Sequence, residues 1–195
     1  MEEKLSLTFR IFNKLGVIHD KQKYGHISIG GIIIHFFVVV RNAYLFKKAY
    51  KPGIFETRKC KHVRPKLWRK IGCHVGKNVF IGHSVSLDCG NAELITIEDK
   101  VSITNGCILL CHRKDMKDYR KYDDSYSLDF LYAPITLKKG CQLGMGSIIM
   151  PGVTIGEGAI VGARSVVTKD IPAWTIAVGS PCKVIKELPE REKKL

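Results

Sequence analysis

The sequence predicts an all-β fold: a parallel β-helix of triangular section, preceded by a helical segment and interrupted by one long loop. Three observations predict it. From Val75 onward an aliphatic residue recurs at every sixth position. A second series of small or β-branched residues falls four places after most of the first. Glycine often follows the aliphatic position, as at Gly76, Gly82, Gly144, Gly156 and Gly162.

The aliphatic series reads Val75, Ile81, Leu87; Ile97, Ile103, Leu109; Leu137, Leu143, Ile149; and Ile155, Val161, Val167. The small series reads Val79, Val85, Val101, Cys107, Cys141, Ser147, Val153, Ala159 and Ser165. Each hexad makes one short strand and one turn, and three hexads close a coil. The aliphatic side chain points inward and the small one packs beside it near the corner. Glycine is expected to relieve the turn, where φ is positive. Stacked coils then pair as parallel strands about 4.8 Å apart, so the interior becomes columns of like residues. A period of six excludes an α-helix, which repeats at about 3.6 residues.

The two interruptions, Leu87 to Ile97 and Leu109 to Leu137, both leave the coil after its third hexad, at one corner. The first contains Asp88, Gly90 and Asn91. The second opens with Leu110-Cys111-His112 and runs through a polar stretch to Pro134. Asp88 and His112 are therefore expected about one rung apart on one edge of the prism. The predicted organisation is an N-terminal helical segment over 1–70, a β-helix over 71–185 with a loop at about 110–134, and a charged tail over 186–195.

Charge separates the first segment from the rest. Residues 1–70 hold sixteen Lys/Arg against four Asp/Glu; residues 71–195 hold sixteen against fourteen. Such a segment suits anionic lipid or a phosphorylated partner, or else forms a solvated basic face. No nucleic-acid partner is expected, because the basic readout motifs are missing. The apolar run Ile27–Val40 is short for a bilayer span. It leads into Arg41, Lys47, Lys48 and Lys51, so residues 27–51 either dock on the main domain or lie against an anionic membrane. Seven cysteines without a CxxC pair disfavour a standard zinc module and suit a reducing cytoplasm. The neighbours Cys60 and His62, and Cys73 and His74, read as chance proximity.

From Ile97 to Ile185 the chain resembles the hexapeptide-repeat acyltransferases, most of all their saccharide O-acetyltransferases. The resemblance rests on Val101-Ser102-Ile103-Thr104-Asn105-Gly106, Cys111-His112 and Ile149-Met150-Pro151-Gly152-Val153-Thr154-Ile155-Gly156. It continues through Val161-Gly162-Ala163, Ser165-Val166-Val167-Thr168-Lys169-Asp170-Ile171-Pro172 and Gly179-Ser180-Pro181-Cys182-Lys183-Val184-Ile185. It implies left-handed coils, a homotrimer, acetyl-CoA as donor in a groove between subunits, and a saccharide acceptor. It also implies direct transfer, with His112 matching the family's general base; a neutral imidazole can take the acceptor proton. No metal is expected.

Asp88 then orients His112 or holds an acceptor hydroxyl, or is a turn residue. Asn91 is open to the same readings, and Asn105 to that role or a plain turn. Met145 and Ala163 match positions along the pantetheine arm, although the family often has serine where Met145 stands. Thr168, Lys169 and Lys183 match positions near the nucleotide, where an ammonium can meet phosphate. The loop aromatics Tyr119, Tyr122, Tyr126, Phe130 and Tyr132 either cover the acceptor pocket or pack against a neighbouring subunit. The location implied is cytoplasmic, peripheral on the inner membrane face if residues 27–51 meet lipid. Other readings are transfer to a sugar amine or serine, a non-catalytic assembly module, and a zinc hydratase, which needs three converging histidines.

Overall fold

A computed structural model describes residues 5–190 apart from 19, 53 and 54; the last five positions of the expected tail lie outside the described residues. The chain divides into two compact units, Met1–Asn42 with Lys114–Leu131, and Ala43–Arg113 with Tyr132–Leu195.

In the second unit, strands of two or three residues follow one another around three sheets in rotation. The first circuit is β1 (His74–Val75), β2 (Phe80–Ile81) and β3 (Ser86–Leu87). The second is β4 (Ile95–Ile97), β5 (Ser102–Ile103) and β6 (Ile108–Leu109). After β7 (His112–Lys114) and β8 (Phe130–Tyr132), which pair as a separate ribbon, the third is β9 (Ile135–Leu137), β10 (Gln142–Leu143) and β11 (Ile148–Ile149). The fourth is β12 (Thr154–Ile155), β13 (Ile160–Val161) and β14 (Val166–Val167); β15 (Thr175–Val178) and β16 (Lys183–Glu187) follow. The sheets are β1-β4-β9-β12, β2-β5-β10-β13-β15-β16 and β3-β6-β11-β14.

The pairing register reproduces the six-residue phase. Val75 stands beside Ile97, Ile97 beside Leu137 and Ile155 beside Leu137. Ile81, Ile103, Leu143, Val161 and Ala177 form a second column. Leu87, Leu109, Ile149 and Val167 form the third. All but Val75 are buried, as is every member of the small series. A fully buried aliphatic side chain stabilises by about 1.5–3 kcal/mol, so these columns supply the main driving force for the coil. Cys73, Cys107 and Cys141 are buried thiols.

The glycines after the aliphatic positions act differently from the expectation. The left-handed backbone falls two places later, at Asn78, Ser84, Lys100, Gly106, Gly140, Gly146, Gly152, Gly158 and Arg164. Gly144 is needed for close approach instead: a Cβ there would lie 2.4 Å from the amide nitrogen of Ala163 in the next circuit. Gly156 is alike, with Ala173 N at 2.3 Å.

Helices precede the coil. They are α1 (Leu7–Lys14), α2 (Lys21–Tyr24), α3 (Ile29–Tyr50), α4 (Glu56–Arg58) and α5 (Arg64–Ile71), with a π-helical turn over Lys59–Val63. Ser6 caps α1 by accepting from Phe9 N–H at 3.0 Å. Pro65 suits the first turn of α5, and Gly72, with φ at 134°, ends it. Leu67, Trp68 and Ile71 of α5 are buried in the core, covering the coil's first turn.

Arg64 ties α3 to this plug. Its guanidinium, 1% exposed, donates to the carbonyls of Ala49 (2.6 Å) and Lys51 (3.0 Å) and pairs with Glu56 at 2.6 Å. A cation on the last carbonyls of a helix is favourably placed against its dipole. Ser84 N–H donates to Tyr50 O at 2.8 Å, from the coil side. The end of α3 is thus docked, but Ile29, Ile33, Phe37 and Val40 are exposed. Docking accounts for the helix end and leaves its apolar middle uncovered.

Candidate active site

Both departures from the coil leave the edge between the third sheet and the first. After β3, the chain makes a 3-10 turn over Cys89–Leu94 before β4. After β6 it runs through Leu110 and Cys111 into β7. Asp88 N–H donates to Leu109 O at 3.2 Å, which keeps the two departures in register.

The structure brings Asp88, Asn91 and His112 together. Asn91 folds back within the 3-10 turn: its N–H donates to Asp88 O at 3.0 Å and its Nδ2 to Asp88 Oδ2 at 3.0 Å. The same Oδ2 pairs with His112 Nδ1. The Asp88 side chain is 7% exposed, whereas that of His112 is 38% exposed. A carboxylate held on Nδ1 fixes the ring orientation and turns Nε2 into the nitrogen that can take a proton. The Tyr132 ring lies beside it, with centroids 6.2 Å apart. In the sequence Tyr132 is one of five loop aromatics; the mark that sets it apart is its place two residues before Pro134, where the insertion closes.

The flanking thiols stay protonated near neutral pH. Burial first, then the charges of Asp88 and Glu93, push Cys111 up to about 12. Burial and Asp88 push Cys89 up to about 11. Neither supplies a thiolate to compete as nucleophile.

Asn105, Met145 and Ala163 occupy a different edge, between the second and third sheets. Each stands two places beyond its aliphatic residue in successive circuits. Gly146 N–H donates to Asn105 O at 3.0 Å, and Arg164 N–H to Met145 O at 2.8 Å. The Asn105 side chain accepts from His83 N–H at 3.0 Å, so it joins turns of adjacent circuits. Asn105 therefore groups with Met145 and Ala163 and lies on another edge from Asp88. Met145 is exposed, with its side chain projecting from the turn.

Thr168 and Lys169 follow β14 on the edge that carries Asp88. Three circuits separate Thr168 from Asp88, roughly 14 Å at the strand spacing. Thr168 and Lys169 are exposed, as is Lys183 at the start of β16. Among the described residues no group of three or more His, Cys, Asp or Glu side chains is placed to hold a metal ion.

The family model for bacterial transferase hexapeptides (six repeats) matches residues 134–169. A Schizosaccharomyces pombe protein named as an acetyltransferase is 32% identical over 154 residues, which are 77% of this chain and 70% of that protein. The chain belongs to the hexapeptide-repeat acetyltransferase family. This acetyltransferase is also 34% identical to the galactoside O-acetyltransferase of Escherichia coli over 134 residues, 67% of the chain and 63% of that enzyme. Its fold matches the crystal structure of a maltose O-acetyltransferase from Clostridium difficile 630 with a TM-score of 0.58 and 26% identity. That match covers 79% of this chain and 89% of the other.

Proposed function

We propose that the protein transfers the acetyl group of acetyl-CoA to a hydroxyl of a saccharide or polysaccharide precursor, with His112 as general base. The observation that carries this is the Asp88–His112 pair, half-open to solvent at the mouth of the insertion. The names of the relatives, galactoside and maltose O-acetyltransferase, support a sugar acceptor.

In this reading His112 Nε2 takes the acceptor proton as the hydroxyl oxygen attacks the thioester carbonyl. The tetrahedral adduct collapses, the carbon–sulfur bond breaks, and the CoA thiolate leaves and takes up the proton. Asp88 holds the ring and stabilises the imidazolium formed on the way; Asn91 holds Asp88. No acyl-enzyme is needed, in keeping with the protonated Cys89 and Cys111.

The donor lies along the coil. Met145 and Ala163 line its pantetheine arm, and Thr168, Lys169 and Lys183 meet its nucleotide end. On one chain, the edge bearing His112 and the edge bearing Met145 and Ala163 are separate. A homotrimer of left-handed triangular coils would face one edge to the other across each subunit boundary, which supports the trimeric assembly and an acceptor site shared between subunits. The exposed rings of Tyr122 and Tyr126 offer faces for sugar stacking. The proposed location is the cytoplasm, at its membrane face.

The test is free-thiol release from acetyl-CoA against a panel of sugars, sugar amines and serine. A sugar bearing only hydroxyls should be acetylated, and His112→Ala should lower kcat by about 10²–10⁴-fold while leaving acetyl-CoA binding in calorimetry. Full activity in His112→Ala, or turnover confined to amines or serine, would overturn the assignment.

A further inference from the structure

Contacts hold α3 at a few points. Tyr24 Oη hydrogen-bonds His35 Nε2 at 3.2 Å, Asn42 is buried, and Leu45, Phe46 and Ala49 pack into the core at the helix's end. The rest of the helix is open, and Ile34 and Val39 are exposed beside the main stripe. Ile29, Ile33, Phe36, Phe37, Val40 and Tyr44 recur at helical spacing and each is exposed. A stripe of large apolar side chains this long marks an interaction surface.

Charge identifies the partner. From residue 21 to residue 55 the chain carries Lys21, Lys23, Arg41, Lys47, Lys48 and Lys51 and no Asp or Glu. The open stripe runs directly into the exposed Lys47 and Lys48. A second copy of the chain would bring the same positive charge against it, whereas an anionic lipid surface matches both the apolar stripe and the cations beside it. Length then sets the mode. α3 is the one described helix long and apolar enough to cross a membrane. Its open stripe, Ile29 to Tyr44, rises only about 23 Å, short of a hydrocarbon core of about 30 Å. The turns that would complete a span are tied to the coil by Arg64 and Ser84.

We infer that α3 is a membrane-docking element that lies in the plane of an anionic bilayer. The Ile29–Tyr44 stripe sits among the upper acyl chains, and Lys47, Lys48 and Lys51 sit among headgroup phosphates. This does not rest on the acetyl-transfer reading, and its test does not use activity.

The experiment is flotation of the full chain with phosphatidylcholine vesicles, with and without phosphatidylglycerol. The protein should float with the anionic vesicles, far less with the neutral ones, and less as salt is raised. Ile33→Glu/Phe37→Glu should cut the bound fraction on the order of tenfold or more. Its far-UV spectrum and unfolding midpoint should be unchanged, because both side chains are exposed. Lys47→Glu/Lys48→Glu should remove the preference for anionic lipid. Protein that stays unbound, floats equally on neutral vesicles, or binds unchanged as Ile33→Glu/Phe37→Glu overturns the inference. Resistance to alkaline carbonate would replace it with a spanning helix. Loss of an oligomer in Ile33→Glu/Phe37→Glu, with vesicle binding intact, would replace it with a contact between copies.

Discussion

Asp88 spends both of its functions on one oxygen: Oδ2 accepts from Asn91 Nδ2 and pairs with His112 Nδ1. The phase of the repeat was enough to put Asp88 and His112 on one edge, because both insertions leave after a third hexad. It was not enough to exclude a plain turn aspartate, since only the folded 3-10 segment shows which way the carboxylate turns. Asp88→Asn keeps the shape and removes the negative charge beside the His112 ring, which on the proposed mechanism stabilises the imidazolium. We expect kcat to fall by about 10²-fold or more with little change in KM for acetyl-CoA, measured by thiol release. Arg64 was not legible at all. It is one of sixteen basic residues in the first 70, and its role depends on carbonyls at Ala49 and Lys51 that only the fold assembles. Arg64→Met should cost about 3 kcal/mol in urea unfolding, because the acceptors it satisfied stay buried. Glu56, a third exposed, is already partly solvated and adds little to that cost.

Among the elements, the strands were the most readable, because a buried column demands the same residue class every sixth place. The turns were less so. Glycine has two separate uses here, and composition does not separate them. Gly144 admits the amide of Ala163, whereas Gly140, at φ +70°, has open space where a Cβ would go. Gly144→Ala must push two circuits apart and should cost about 1–3 kcal/mol. Gly140→Ala should cost only about 1 kcal/mol, the strain of left-handed backbone. Denaturation midpoints of the two variants, compared at equal m, check the order. The helix α3 was foreshadowed by the mostly apolar run Ile27–Val40, yet it extends over 22 residues. Arg41, Lys47 and Lys48 interrupt the apolar run but have good helix propensity, so the helix continues through them.

At the scale of the molecule, stability should fade in alkali. Burial raises Cys141 to about 12, Cys111 to about 12 and Cys89 to about 11, from an ordinary value of 9.0. A thiol raised by folding contributes stability that is full below the unfolded value and is lost as pH climbs through the folded one. Tm should therefore fall between about pH 9 and 12, and Cys141→Ala should flatten that fall; a Tm independent of pH over this window would contradict it. Assembly offers a second check. If the site is shared between subunits, mixing His112→Ala chains with Ala163→Trp chains should restore part of the thiol release that neither shows alone. No recovery after subunit exchange would place the whole site on one chain.

The turn-back of β16 has a consequence of its own. A stack of parallel rungs offers its last rung as a template for another, and nothing in the repeat tells it to stop. Here β16 runs antiparallel along β15, from Thr175 beside Glu187 to Val178 beside Lys183, and seals the six-stranded sheet with charged side chains. Without that hem the final rung would offer a row of unpaired backbone groups to a strand of another chain, whereas at the other end α5 already covers the first turn of the coil.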